Sequence, residues 1–213
     1  MAGNDGAASL HCVAMRVIAL NASGGITVGT SPVYVTNNLT RIDFNPDIET
    51  GPEISDRNAS GNLAVTFRLP DLIKRLTGTV EIVTPDPELE VILTGGNTLV
   101  SGTNVVGMQY PALNTDALPN GVSVEAWTRA VVNGRQPTDF PYMRWVFPMG
   151  KFRKSNRSID INRMGSTFEG FWYENPNWGS GSSIQPFAYD TSRVVQWARD
   201  TTYPAPVLGA TKA

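Results

Sequence analysis

From Val122 to Gly134 the chain reads VSVEAWTRAVVNG, and its unbroken two-residue alternation constrains the fold more than any other feature. Val122, Val124, Ala126, Thr128 and Ala130 fall on one face of an extended strand; Ser123, Glu125, Trp127, Arg129 and Val131 fall on the other. Asn133-Gly134 then supplies a turn. The pattern returns in HCVAMRVIAL from His11, where apolar residues on both faces predict a covered strand, and again in LTRIDF, NLAVTFRLP and GTVEIV. ITVGTSPVYV has room for a short strand at each end, and NTLV and NVVGMQY pair around Ser101-Gly102. FPYMRWVFPMGKFR, SIDINRM and STFEGFWYENPNWG continue the sheet, with Pro141 and Pro148 favouring strand ends or an edge. With 213 residues, 20 glycines and 15 prolines, the expectation is one β domain with extended loops.

One segment breaks the alternation. TPDPELEVILTGG, Thr84 to Gly96, reads as a short helix over about 86–94 with both ends specified. Asp86 is a good N-cap, Pro87 occupies the first helical position, and Glu88 and Glu90 complement the helix dipole. Gly95 and Gly96 end it. Leu89, Ile92 and Leu93 share one face, expected to pack on the sheet, with Glu88 and Glu90 toward solvent or a neighbouring subunit. So short a helix cannot stand alone in water.

The remaining segments carry less pattern. Residues 1–9 read as a flexible arm and 204–213 as a tail, bounding a single domain over 10–203. Asn45 to Asn62, NPDIETGPEISDRNASGN, is the longest polar interval, an extended loop or an extended hairpin. DLIKRL reads as a short apolar–basic turn, Asn21 to Gly25 as a turn, Pro111 to Gly121 as a loop, and GSGSS from Gly179 as flexible. TSRVVQWARD fits a helix capped by Thr191 or Ser192, and equally a strand.

Composition and motifs narrow the chemistry. The net charge of −2 gives no general attraction to nucleic acid or anionic membrane. No apolar run reaches the ~18 residues of a membrane span, and MAGNDGAASLHC lacks the basic and apolar regions of a signal peptide. The expectation is a soluble protein made in the cytoplasm. The single His11 and single Cys12 are neighbours on a strand, so they point apart and cannot form a nucleophile pair. Zinc spacings, phosphate loops, dinucleotide fingerprints and GxSxG are all absent. Glu125, Asp160 and Glu169 lie on candidate strands, but nothing marks a catalytic carboxylate pair. Phe168, Phe171, Trp172, Tyr173 and Trp178 read as core residues or as a sugar-stacking platform. Asp43, Asp47, Glu49, Glu53 and Asp56 form an acidic cluster; Lys151, Arg153, Lys154, Arg157 and Arg163 form a basic one. They are two solvated loops, or complementary patches that meet across a subunit contact.

The stretch GNLAVTFRLPDLIKRLTGTVEIVTPDPELEVILTGG resembles the corresponding part of the major tail (tail tube) proteins of long-tailed phages infecting actinobacteria. The later words VSVEAWTRAVVNG, PYMRWVFPMGKFR and FEGFWYENPNWG are similar to the back half of that family, so the resemblance covers roughly Val13 to Gly179. The family often has an Asp-Ala-Cys-Gly turn where this chain has Asn21-Ala22-Ser23-Gly24. The resemblance implies a mainly β chain: an antiparallel β-sandwich or small barrel with one short flanking helix. It implies a structural, non-enzymatic virion protein without cofactor or metal. Six copies would form a ring, and rings would stack into a tail tube through which double-stranded DNA passes unbound. Partners would be further copies and other tail proteins: tape measure, tail terminator and distal tail protein. On that picture Asp47, Glu49, Glu53, Asp56, Lys151, Arg153, Lys154 and Arg157 are candidate inter-subunit contacts, and Glu81 and Glu125 are candidate lumen residues. The alternatives are a single-ring tail-completion or distal tail protein, a carbohydrate-binding sandwich using Trp172 and Trp178, and a hydrolase using Glu125 and Glu169.

Overall fold

The structure is a computed structural model that describes residues 7–27, 29, 31–84, 86–112, 120–155, 165–178, 190–206 and 211–212. Among the described residues the strongly alternating segments become antiparallel strands, which makes the protein mainly β, a sandwich with one short helix among those residues. Strand β1 (Ala8–Ala19) lies between β2 (Pro32–Thr36) and β9 (Val122–Val131), and β9 pairs on with β10 (Tyr142–Lys154). The sheet continues through β11 (Ser166–Tyr173) and β6 (Leu72–Ile82) to β3 (Leu39–Glu49). Two separate hairpins, β4 (Glu53–Arg57) with β5 (Leu63–Arg68) and β7 (Asn97–Ser101) with β8 (Asn104–Gln109), complete the internal elements.

β10 turns the sheet. Its first half sits between β9 and β12 (Gln196–Asp200), and its second half pairs with β11. Pro148 cannot donate to a ladder, and the β9 register slips there, between Phe147 and Gly150. Proline thus marks a bend within the strand, not its end. TSRVVQWARD resolves to a strand, β12. DLIKRL is not a turn but the first half of β6, with Leu72 and Ile73 paired to Glu49 and Ile48. ITVGTSPVYV forms only its second strand, β2. Ala8 and Ser9, expected in a free arm, begin β1 opposite Val131 and Ala130, while Thr211 and Lys212 (β13) pair with β2. Residues 1–6, Asp160, the rest of SIDINRM and GSGSS lie outside the described residues.

The β2–β1–β9–β10 sheet is covered on both faces, as the apolar residues of β1 require. Val17, Tyr34, Val124 and Phe147 join one core cluster; their neighbours Ile18, Val33, Val35 and Val146 join the other. Trp172 anchors the first, stacked on Phe147 at 4.3 Å and edge-on to Phe152. Gly78 makes this possible: a side chain there would collide with the Trp172 indole nitrogen. Trp178 anchors the second and donates to the Ser123 hydroxyl at 2.7 Å. These two indoles are 2% and 3% exposed, so they cannot form a sugar-stacking platform.

The helix α1 (Pro87–Thr94) caps the first cluster. The Asp86 carboxylate accepts from the backbone N–H groups of Glu88 and Leu89, and its other oxygen accepts from the Tyr34 hydroxyl at 2.7 Å. Gly95 ends the helix in the left-handed region, φ 77°. Leu89, Ile92 and Leu93 are buried as their spacing predicts. Glu90 is a correction: it faces inward, and its carboxylate takes bonds from Lys154 and from the Ser166 hydroxyl. A buried carboxylate is tolerated because both oxygens are paired. Among the described residues, no helix is long and apolar enough to cross a membrane.

Candidate assembly surface

Of the two readings for Asn45 to Asn62, the extended hairpin holds: the interval belongs to the outer part of a long two-stranded ribbon. β3 and β6 pair from Leu39↔Ile82 outward to Glu49↔Leu72. Gly51 and Pro52 then cross Leu69 and Pro70, with the Leu69 N–H donating to the Pro52 carbonyl. A side chain at Gly51 would strike the Leu69 carbonyl, so glycine fits the crossing. β4 and β5 resume with the same pairing offset, from Glu53↔Arg68 through Ile54↔Phe67. The ribbon turns at Asn58–Asn62, where the Asn58 side-chain oxygen accepts from the Ser60 and Asn62 N–H groups.

The two faces of this ribbon differ. Paired residues share a face, as do alternate residues along each strand. Ile42, Val80 and Leu76 pack on the core cluster, and the same face runs outward through Pro46 to Ile48↔Ile73 and then to Ile54↔Phe67. The core-lining face therefore continues beyond the body of the sandwich, where its apolar side chains are exposed. Ile73 is 69% exposed and Phe67 56%, and Val65 and Leu69 are exposed with them. The other face carries ion pairs beside the exposed Leu72: Asp47 bonds Arg75 at 2.7 Å and Glu49 bonds Lys74 at 3.3 Å. Sequence alternation missed this face because each strand alone looks polar or broken. Only pairing Ile48 with Ile73 and Ile54 with Phe67 reveals it.

At the root of the ribbon a cleft of about 240 Å³ opens between β3 and the β1–β9–β10 sheet. Phe44, Trp145 and Phe147 line it with Cys12, Thr128 and Arg41, and Phe44 touches both neighbouring aromatic rings. Trp197, more than half exposed, continues the surface from Trp145. Cys12 is half-buried, and burial raises its pKa to about 11, partly offset by bonds to the Ala14 and Trp127 backbone. His11 is exposed at φ 46°, within a bulge of β1 between Leu10 and Cys12.

The candidate charged residues divide sharply. Glu125, expected toward a lumen, is fully buried and paired with both Arg16 and Arg144. The two guanidinium groups also lie 5.2 Å from the Trp127 ring, whose N–H donates to Asp200. Strand β9 has no solvent face at Glu125, because it is covered on both sides. The same burial removes Glu125 as a hydrolytic carboxylate; its proposed partner Glu169 instead accepts from Ser155 at 2.8 Å. Glu81 is half-buried and 3.6 Å from Arg41. Lys154 is committed internally to Glu90, while Lys151 is half-buried and Arg153 exposed opposite Glu169. Asp47 and Glu49 have partners within their own ribbon, and Glu53 and Asp56 are exposed on β4. Arg157 and Arg163 lie outside the described residues. No group of three or more metal-ligating side chains comes together among the described residues.

No protein-family model matches this chain, and no curated protein is similar to it in sequence.

Proposed function

We propose that this chain is a structural virion protein that self-assembles into stacked rings forming a phage tail tube, through which DNA is delivered. One observation carries the assembly half of this reading: a rigid β-ribbon projects from the sandwich with its core-lining face uncovered. Monomers rarely expose contiguous apolar surface of this kind, and such faces mark contacts with other chains. The tail-tube half rests on the sequence resemblance, with which the antiparallel sandwich and its flanking helix agree. On this reading apolar contact drives the association, and Asp47, Glu49 and Lys154 already have partners within their own chain.

Sedimentation of the purified protein over a range of concentrations tests the reading. Large assemblies whose size grows with concentration support it. A single closed ring at every concentration favours a tail-completion or distal tail component, and a monomer throughout contradicts both. Glycan binding abolished by Trp197→Ala would overturn the structural assignment, because Trp197 is the exposed indole beside the cleft.

A further inference from the structure

The two halves of strand β1 are held differently. From Ala14 to Ala19 it pairs residue for residue with Trp127 to Val122 of β9, and β2 pairs with its other edge from Met15 to Ile18. Among the described residues, Ala8 to Cys12 pair with β9 alone, and their register slips twice, between Leu10 and Cys12 and again between Cys12 and Ala14. Each slip puts an extra residue on β1, first His11 and then Val13. His11 sits at φ 46°, in the left-handed region that a side chain enters only at a cost. Ala8 to His11 are exposed, so this half buries little apolar surface to offset that cost. The Ser9 hydroxyl ties it to the sheet, donating to the Thr128 hydroxyl at 2.6 Å. A segment so held opens more readily than the core beside it. Ser9 and Cys12 also line the cleft at the root of the ribbon, together with Thr128, Trp145 and Phe44.

We propose that residues 8–12 form a strap that lifts from β9 about the doubled bulge while the rest of the sandwich stays folded, and that its lifting opens the aromatic cleft. The inner half of β1 is the anchor: Ala14, Met15, Val17 and Ile18 are fully buried, and Met15 and Val17 belong to the first core cluster. The hinge therefore lies at His11 to Val13, where the register is already broken. Lifting releases the Thr128 hydroxyl, to which the Trp145 indole N–H points at 3.4 Å, and brings the Cys12 thiol into solvent. The strap is a property of the single chain and stands apart from the self-assembly reading above.

Labelling of Cys12, the single cysteine, tests this in the native full chain. An aromatic disulfide reagent is used in excess at mildly alkaline pH, over urea concentrations below the unfolding transition. Burial keeps the thiol protonated while the strap is down, so reaction reports lifting. The expected rate stays flat as urea rises, because lifting exposes little surface. His11→Gly removes the left-handed strain and is expected to slow labelling several-fold; Ser9→Ala removes the tie to Thr128 and is expected to quicken it several-fold. Labelling that appears only with global unfolding overturns the proposal. So do rates that neither variant alters, which would mean that the half-buried thiol reacts with the strap in place. Hydrogen exchange gives a readout that does not use the thiol. The amides of residues 8–12 are expected to exchange with flat urea dependence, and those of Met15 to Ile18 only through global unfolding; equal protection of both halves overturns the proposal.

Discussion

Glu125 holds two arginines in the interior and has no contact with water. Removing its charge leaves Arg16 and Arg144 without their shared counter-charge, and breaking a buried pair in this way costs about 3–5 kcal/mol. Glu125→Gln is therefore expected to lower the urea midpoint sharply at unchanged m, whereas Glu169→Gln, at an exposed residue that accepts from the Ser155 hydroxyl, changes the stability by at most ~0.5 kcal/mol. Cys12 gives a pH signature. Its thiol pKa is raised from 9.0 to about 11 in the folded chain, so the folded state retains a proton that the unfolded state releases between those values. That contribution to stability is complete below pH 9.0 and is lost as pH rises to about 11. Thermal unfolding across this window should fall more steeply for the wild type than for Cys12→Ala; parallel curves would contradict the burial. The sequence places Glu125 correctly on a strand face but cannot reveal that both faces of β9 are covered. Trp172 shows the same limit: its burial depends on Gly78, a distant residue on another strand.

The helix was legible almost completely, because capping is local chemistry. Asp86, Pro87, Gly95 and the Leu89–Ile92–Leu93 spacing all act as their positions predict. Asp86→Ala is expected to cost about 1 kcal/mol, read as a lowered melting temperature, with the lost Tyr34 bond adding to it. Glu90 was not legible, since its partners Lys154 and Ser166 come from distant strands. The hairpin from Asn45 to Asn62 was one of the two readings of the sequence, but its apolar face was hidden for a related reason. Pro46 lies within β3, Gly51 and Pro52 separate β3 from β4, and the apolar partners of these strands lie far along the sequence. Replacing residues 50–70 by an Asn-Gly turn between Glu49 and Asp71 retains the β3–β6 pairing and removes the outer ribbon. Its expected outcome is a folded monomer, with unchanged near-ultraviolet dichroism and no assembly. Loss of the dichroism would show that the outer ribbon holds the fold together.

At the scale of the whole molecule, one sheet supplies both the core and the surface that outgrows it. The sandwich closes around Trp172 and Trp178, while the β3–β6 face runs past that core and leaves Ile48, Ile73, Ile54 and Phe67 uncovered. An uncovered apolar face of this kind is what the proposed self-assembly requires. Electron microscopy of the purified full-length protein tests this most directly. The account predicts hollow tubes of stacked rings that disappear in Phe67→Lys; monodisperse single particles at concentrations where virion proteins assemble would contradict it.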